Sequence, residues 1–393
     1  MNTVKQIRVG DVCQSISDTY RANDKKVVLI NTSDVLEGEI LNHTEVPNEG
    51  LKGQFKKTFK KDDILYSEIR PRNKRFAFVE IEPHNYIAST KLMVIRSDKT
   101  VVLPKYLYYY LKSEQVINEL QALAETRSGT FPQITFTELS QLKILLPSLS
   151  IQKKIVSILE SVENKISLNN KINNNLYEQV RILFSKFLES SNKIQFVKLI
   201  DSTSAIIRGQ TTKYVEHSTL INLNQKVNKG INLEKQFYKY LDENIPVSPD
   251  KFACKKDILL NSLGQGTLGR VHYWNEVASN IVIDQHITII RAKEGFTTPE
   301  FLYLLLSSDE YYDKFLASVT GSTGMQMLNI SAVRETKIPL IEYTKQSEFS
   351  KLVELMFEKI SNNTLENEKL ALLRDQLLPK LMSGEIDVTD IDI

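Results

Sequence analysis

The chain repeats itself at a spacing of about half its length, and this limits what it can fold into more than any other feature. Asp63-Ile64-Leu65-Tyr66-Ser67 returns 194 positions later as Asp257-Ile258-Leu259-Leu260-Asn261. Pro104-Lys105-Tyr106-Leu107-Tyr108-Tyr109-Tyr110-Leu111 returns 195 positions later as Pro299-Glu300-Phe301-Leu302-Tyr303-Leu304-Leu305-Leu306. Leu142-Lys143-Ile144 matches Thr336-Lys337-Ile338, and Gln152 matches Gln346, both at 194. A nearly constant offset across separate blocks is not coincidence. A solenoid needs three or more stacked units, so two large copies predict a pseudo-dimer within one chain.

Each copy follows one plan. Runs rich in β-branched and aromatic residues, broken by Gly, Pro and Asn, read as strands and turns: KVVLINTSDV, AFVEIE and KLMVIR in the first copy, STLINLNQ, DILLNSL and IVIDQHITIIRA in the second. A helix led by proline is expected at 104–122 and again at 299–317. A short strand, KILLP or KIPLI, closes the globular part. A long helical stretch then follows. Ile151, Ile155, Ile158, Val162, Ile166, Ile172, Leu176, Val180, Leu183 and Phe187 recur at helical steps. So do Phe349, Val353, Met356, Ile360, Leu370, Leu373, Leu377 and Leu381. Roughly 40 residues would span about 60 Å, which favours a coiled coil over a globular helix. Asn169 interrupts the first apolar seam and Asn363 interrupts the second at the equivalent place. A seam asparagine costs stability but fixes register.

The predicted fold is therefore α+β: two pseudo-symmetric globular domains, at 1–149 and 191–343, separated by two long helices, at 150–190 and 344–393. A pseudo-two-fold would make those helices an antiparallel coiled coil with a domain at either end. Four residues inserted in a helix would lengthen it by about 6 Å.

Length and composition agree with this. The 393 residues exceed one ordinary core, and 41% hydrophobic with 25% charged residues suits a folded protein. No stretch approaches the roughly 18 to 20 apolar residues of a membrane span. The opening MNTVKQIRVGD is polar rather than a secretory leader, and Cys13 and Cys254 share no metal-like spacing. A reduced, cytoplasmic protein is the expectation. The net charge of +2 decides nothing, but its distribution is informative. Lys52, Lys56, Lys57, Lys60 and Lys61 precede Arg70, Arg72, Lys74 and Arg75, whereas Glu385, Asp387, Asp390 and Asp392 gather at the C-terminal end.

The chain resembles the specificity subunit of type I restriction-modification systems. The resemblance rests on Asp63-Ile-Leu-Tyr-Ser-Glu-Ile-Arg-Pro-Arg-Asn-Lys-Arg75, Ser89-Thr-Lys-Leu-Met-Val-Ile-Arg96, Leu145-Leu-Pro-Ser-Leu-Ser-Ile-Gln-Lys-Lys-Ile155 and Leu373-Arg-Asp-Gln-Leu-Leu-Pro-Lys-Leu-Met-Ser-Gly-Glu-Ile386. It extends over the duplicated order of nearly the whole chain. It implies two target recognition domains, each reading half of a split site on double-stranded DNA. It also implies helical spacers that dock two methyltransferase subunits and, for restriction, restriction subunits. The differing segments EIRPRNKR and NSLGQGTLGR imply an asymmetric target. The resemblance places S-adenosylmethionine in the methyltransferase partner, ATP and magnesium in the restriction partner, and no cofactor in this chain.

A DNA reader needs phosphate contacts for affinity and base-edge contacts for specificity. Arginine can pair with guanine O6/N7, and Asn or Gln with adenine N6/N7. In the first copy these chemistries meet at Arg70, Arg72, Asn73, Lys74 and Arg75 on a turn with Pro71. They meet again in the loop Thr126 to Gln133, which carries Arg127, Ser128 and Gln133 and is expected to join a helix to a strand. In the second copy the matching segments supply Gln265, Thr267 and Arg270, then Ser322, Thr323 and Gln326.

Gly264, Gly266 and Gly269 spell G-x-G-x-x-G, but a dinucleotide site needs a helix after the glycines and RVHYWNEV reads as a strand. The five histidines form no ligand spacing. Asp62, Asp63 and Glu68 have no matching cluster in the second copy, where Asp257 alone recurs; both Asp63 and Asp257 read as the start of a strand. No methyltransferase tetrad and no Walker A motif occurs. A non-catalytic DNA reader is the leading expectation. A coiled-coil scaffold that binds no DNA is the alternative, and a stand-alone nuclease or methyltransferase lacks its motifs.

Overall fold

The computed structural model describes residues 5–51, 53–126, 132–191, 195–264, 266–320 and 326–391. The chain forms two compact units: Met1–Ser167 with Asn367–Ile393, and Leu168–Glu366. Each unit takes in part of both long helices.

In the first unit, Lys5–Arg8 pairs antiparallel with Lys143–Leu146. An antiparallel sheet runs in the order Cys13–Ile16, Leu92–Ser97, Ile64–Ser67, Phe76–Phe78. A second sheet runs Glu45–Pro47, Lys26–Ile30, Tyr86–Ser89, Phe55–Lys57, and its central pair is parallel. The second unit repeats the plan. Gln195–Lys198 pairs with Lys337–Leu340. The matching antiparallel sheet runs Thr203–Arg208, Ile287–Ala292, Asp257–Asn261, Val271–Trp274. Ile221–Leu223 and Ile281–Ile283 form the parallel pair of the other sheet. The run IVIDQHITIIRA thus holds two strands, divided at Asp284-Gln285-His286.

Strand alternation explains why these segments are apolar throughout. Successive side chains point to opposite faces of a sheet. Ile64, Tyr66, Met93 and Ile95 enter a core shared with the helices, while Leu65, Leu92 and Val94 enter one shared with the second sheet. In the second unit Ile258, Leu260 and Ile290 join the helical core, and Leu259, Ile287 and Ile289 join the sheet core. The strands Ile64–Ser67 and Asp257–Asn261 inside this sheet are buried on both faces, so they carry no solvent side.

The α-helices are α1 Pro104–Leu111, α2 Glu114–Thr126, α3 Phe136–Gln141, α4 Leu149–Glu189, α5 Pro299–Leu306, α6 Asp309–Ala317, α7 Ile330–Glu335 and α8 Tyr343–Ser383. The single helices expected at 104–122 and 299–317 are each two helices. Serine breaks them by competing for the backbone. Ser113 Oγ donates to Tyr110 O at 2.8 Å and accepts from Val116 N at 3.4 Å, and Ser308 Oγ donates to Leu305 O at 2.7 Å.

The repeated Gln152 and Gln346 are buried braces between α4 or α8 and the turn before α1 or α5. Gln152 Oε1 accepts from Leu103 N (2.8 Å) while its amide donates to Val101 O and Pro147 O. Gln346 Oε1 accepts from Thr298 N (3.2 Å) while its amide donates to Phe296 O and Ile341 O.

Within each unit, portions of α4 and α8 pack antiparallel. In the first, Ile155, Val156 and Leu159 share a core with Leu378, Leu381 and Met382. In the second, Phe187 stacks on Phe349, while Asn363 donates to Asn173 Oδ1 and Asn169 to Glu366 Oε2, both at 2.8 Å. Asn169 and Asn363 are each 1% exposed, as the register role expected of them requires. Among the described residues no helix is long and apolar enough to cross a membrane.

His272, on the strand Val271–Trp274, gives the second unit an acid-sensitive point. Burial pushes its imidazole down from 6.5 to about 4; Lys235 adds to this, and the Gly230 carbonyl, 2.6 Å from Nδ1, opposes it. The unfolded chain takes up the proton near 6.5 and the folded chain only near 4. The stability is therefore complete above 6.5 and is lost as pH falls between those values. Going from pH 7 to 5 should cost about 2 kcal/mol. The sole tryptophan, Trp274, lies edge-on to His272 at 6.4 Å and reports on the unfolding of this unit. Its urea midpoint is expected to drop on acidification in the native chain and to drop much less in His272→Gln. Equal drops in both would show that another group is responsible.

Candidate nucleic-acid interface

The two polar loops of each copy cross one another at the end of a central-sheet strand. In the first unit, Ile69 forms an antiparallel bridge with Gln133 just beyond Ile64–Ser67. Arg70 N donates to Pro132 O at 3.1 Å and Ile134 N to Glu68 O at 2.9 Å. In the second unit, Leu263 bridges Met327 just beyond Asp257–Asn261, and Leu328 N donates to Ser262 O at 2.8 Å. Leu263 follows Ile69 by 194 positions, and Met327 follows Gln133 by the same 194. The equivalence is one of register and not only of loop position.

The turn of the first unit is tightly specified. Pro71–Asn73 form one turn of 3-10 helix between Arg70 and Lys74, both left-handed at φ 45° and 53°. Gln121, buried on α2, accepts from Arg72 N at 3.1 Å and holds the backbone there. Arg70, Arg72 and Asn73 are exposed at the tip. Lys74 and Arg75 are engaged by the fold. The Lys74 amine pairs with Glu114 and, at 4.0 Å, with Glu37. The Arg75 guanidinium donates to Ser33 O and Val35 O at 3.0 and 3.3 Å. Gln133 Oε1 accepts from Lys91 Nζ at 3.1 Å. Lys57 stands behind, donating to Thr90 O and Leu92 O, with its ammonium lowered below the usual range by burial.

The glycine turn of the second unit joins two antiparallel strands, Asp257–Asn261 and Val271–Trp274. No helix follows its glycines, so a dinucleotide cradle is ruled out. Gly264 and Gly269 have φ of 115° and 83°. A Cβ on Gly269 would stand 2.9 Å from the Tyr312 ring, so both conformation and closeness call for glycine. Asn261, fully buried, braces the turn by donating to Thr267 O and Gln225 O. Thr267 Oγ1 bonds within the turn to Gly264 O at 3.2 Å, and Arg270 Nη2 donates to Gly266 O at 2.8 Å. Gln326 is exposed at the crossing. Arg127, Ser128, Gln265, Ser322 and Thr323 lie outside the described residues.

The loop after α2 does not run directly into a strand as expected. It leads to α3, and its counterpart, flanked by the short strands Val319–Thr320 and Met327–Leu328, leads to α7. These helices are six residues each, too short for periodicity to reveal. The two acidic strand starts also prove to be anchors. Asp63 is 1% exposed and accepts from Arg96 Nε and Nη2 at 2.8 and 2.7 Å. Asp257 is 2% exposed and accepts from Arg291 Nε and Nη2 at 2.8 and 3.0 Å. Among the described residues no group of His, Cys, Asp and Glu could hold a metal ion.

The family model for the type I restriction modification DNA specificity domain matches residues 1–178 and again 198–373. The chain belongs to the type I restriction-modification specificity subunits. This specificity subunit is 30% identical to the type I restriction enzyme HindI specificity subunit of Haemophilus influenzae, over 98% of the chain and the full length of that relative. It is 25% identical to the MjaIX specificity subunit of Methanocaldococcus jannaschii, over 75% of this chain and 71% of that one. The crystal structure of the type I restriction-modification S subunit from M. genitalium shares the fold, with a TM-score of 0.59, 17% identity and 97% of each chain covered. The α+β fold with two repeated domains and long helices, expected from the sequence, is thereby shown.

Proposed function

We propose that this specificity subunit reads a bipartite, asymmetric DNA site, one half through each recognition domain. It docks two methyltransferase subunits and, for restriction, motor-nuclease subunits. Residues 1–149 and 191–343 are the readers, and 150–190 and 344–393 the spacers. The chain catalyses neither methylation nor cleavage. S-adenosylmethionine is bound by the methyltransferase partner, ATP and magnesium by the restriction partner, and the assembly works in the cytoplasm on double-stranded DNA.

One observation carries this reading. Both units build the same loop crossing at the same register, yet fill it with different side chains. A purely structural junction would gain nothing from that divergence. Two readers of unlike half-sites require it, because base identity is read through side-chain donors and acceptors. Methylation of adenine within a duplex further requires the partner to extrude the base.

The test is a base-modification map of DNA from cells carrying the methyltransferase subunit with and without this chain. Methyl-adenine confined to one split, asymmetric motif, and present only with the chain, is the expected result. Identical maps would refute the reading. A symmetric motif would refute the assignment of different half-sites to the two domains.

A further inference from the structure

The loop crossings share one more feature, which their sequences conceal. The loop that leaves the central-sheet strand is one residue longer in the second unit, spanning Asn261 to Arg270 against Ser67 to Arg75, so the offset is 195 beyond it. The turn that then enters the central strand is Ser89-Thr90-Lys91 before Leu92, and Asp284-Gln285-His286 before Ile287. Strand register aligns them regardless. Leu92 pairs with Ser67, and Ile287 pairs with Asn261, the equivalent of Ser67. Glu68 N donates to Lys91 O at 3.0 Å, and Ser262 N donates to His286 O at 2.9 Å. Lys91 and His286 therefore occupy one position of the repeated fold, at the point where the two loops meet.

Both are basic, and in both units a carboxylate holds the basic group. The carboxylate comes from different places. Lys91 Nζ lies 3.5 Å from Glu68 Oε2 and 3.1 Å from Gln133 Oε1. His286 Nδ1 lies 2.7 Å from Asp284 Oδ1, and Asp284 is fixed in turn by Thr211 and Tyr214. The residue equivalent to Glu68 is Ser262, which cannot play its part. A basic group that existed only to satisfy its acidic neighbour would have changed when that neighbour did. Here the neighbour moved and the basic group stayed. Neither group is sealed in: the Lys91 side chain is 49% exposed and that of His286 32%. A tethered, accessible basic group beside a base-reading loop has the chemistry of a phosphate contact, which fixes register on the duplex without reading sequence.

We infer that Lys91 and His286 are matched contacts to the DNA backbone, each placing one phosphate of its half-site against the crossing of the two loops. This rests on the DNA-reading function proposed above. Arg70, Arg72 and Asn73 at one crossing and Gln326 at the other then meet base edges from a fixed starting point.

The test uses the full chain assembled with its methyltransferase subunits and a duplex carrying the methylated motif, probed by phosphate-ethylation interference. The native complex is expected to show a sensitive phosphate in each half-site. Lys91→Ala should abolish interference at one phosphate in one half only, and His286→Ala at one phosphate in the other half only. Lys91→Ala should also lower the slope of log affinity against log salt by about 1, and Lys91→Arg should restore it. A merely structural role for Lys91 would not move that slope. Unchanged interference and slope would overturn the inference, and so would loss spread evenly over both halves. No interference anywhere with the native complex would sink the DNA-reading function itself, and the inference with it.

Discussion

Asp257→Ala is expected to destabilise the unit Leu168–Glu366 by about 3–5 kcal/mol, the usual cost of removing one partner of a buried ion pair. The carboxylate does three things. It takes two hydrogen bonds from Arg291, it caps the turn by accepting from Cys254 N at 2.9 Å, and it neutralises a guanidinium only 22% exposed. Removing it leaves Arg291 with the Phe252 carbonyl and the Cys254 sulfur, neither of which carries the missing charge. The Cys254 N–H is orphaned as well. Asp257 stands opposite Trp274 in the strand register, so tryptophan emission follows the loss directly. The change should appear as a lowered urea midpoint with an unaltered slope. Replacing the pair together, with Asp257→Leu and Arg291→Met, should recover most of the loss, because an apolar pair needs no desolvation. A shift below about 1 kcal/mol for Asp257→Ala would place the pair among surface bridges of little worth. Asp63 and Arg96 form the same bidentate pair, with the Lys60 N–H as the capped group, and Asp63→Ala should be comparably costly.

These pairs show where sequence reading reached its limit. The duplication, the strand that follows each aspartate and the long helices were legible, because period and offset are properties of the chain alone. The seam asparagines were legible for the same reason: Asn169 and Asn363 interrupt an apolar pattern whose period is known, and both are buried. Arg96 and Arg291 were not identified as partners of the aspartates. They lie 33 and 34 positions further along, and only pairing between non-adjacent strands brings them near. The basic turn was visible as a cluster, but its division of labour was not. Nothing in EIRPRNKR announces that Lys74 turns to Glu114 and Arg75 to two carbonyls while Arg72 stays exposed. Lys91 and His286 are hidden in the sequence because the loop Asn261 to Arg270 is one residue longer than Ser67 to Arg75, which shifts the offset from 194 to 195 ahead of them.

That division of labour sets up the second large effect. Arg72→Ala is expected to lower methylation of the cognate site by about 10- to 100-fold at limiting complex, the equivalent of about 1–3 kcal/mol for a lost base contact. The substitution spares the fold, because Arg72 is held through its backbone N–H to Gln121 and its side chain is exposed. The melting temperature should stay put. Discrimination should relax at one base pair of one half-site and remain intact in the other, since a base-edge contact carries positional information and a phosphate contact does not. Lys74→Ala and Arg75→Ala provide the contrast. Their side chains anchor the turn to Glu114, Glu37, Ser33 and Val35, so their loss should loosen the turn and weaken binding to all sequences alike. Arg72→Lys separates charge from geometry: an ammonium keeps the charge but cannot make the planar, two-pronged contact to guanine. If Arg72→Lys restores methylation yet leaves the base pair ambiguous, Arg72 reads a base. If it restores both, Arg72 acts on the backbone, and reading in the first unit must rest on Arg70, Asn73 and Gln133.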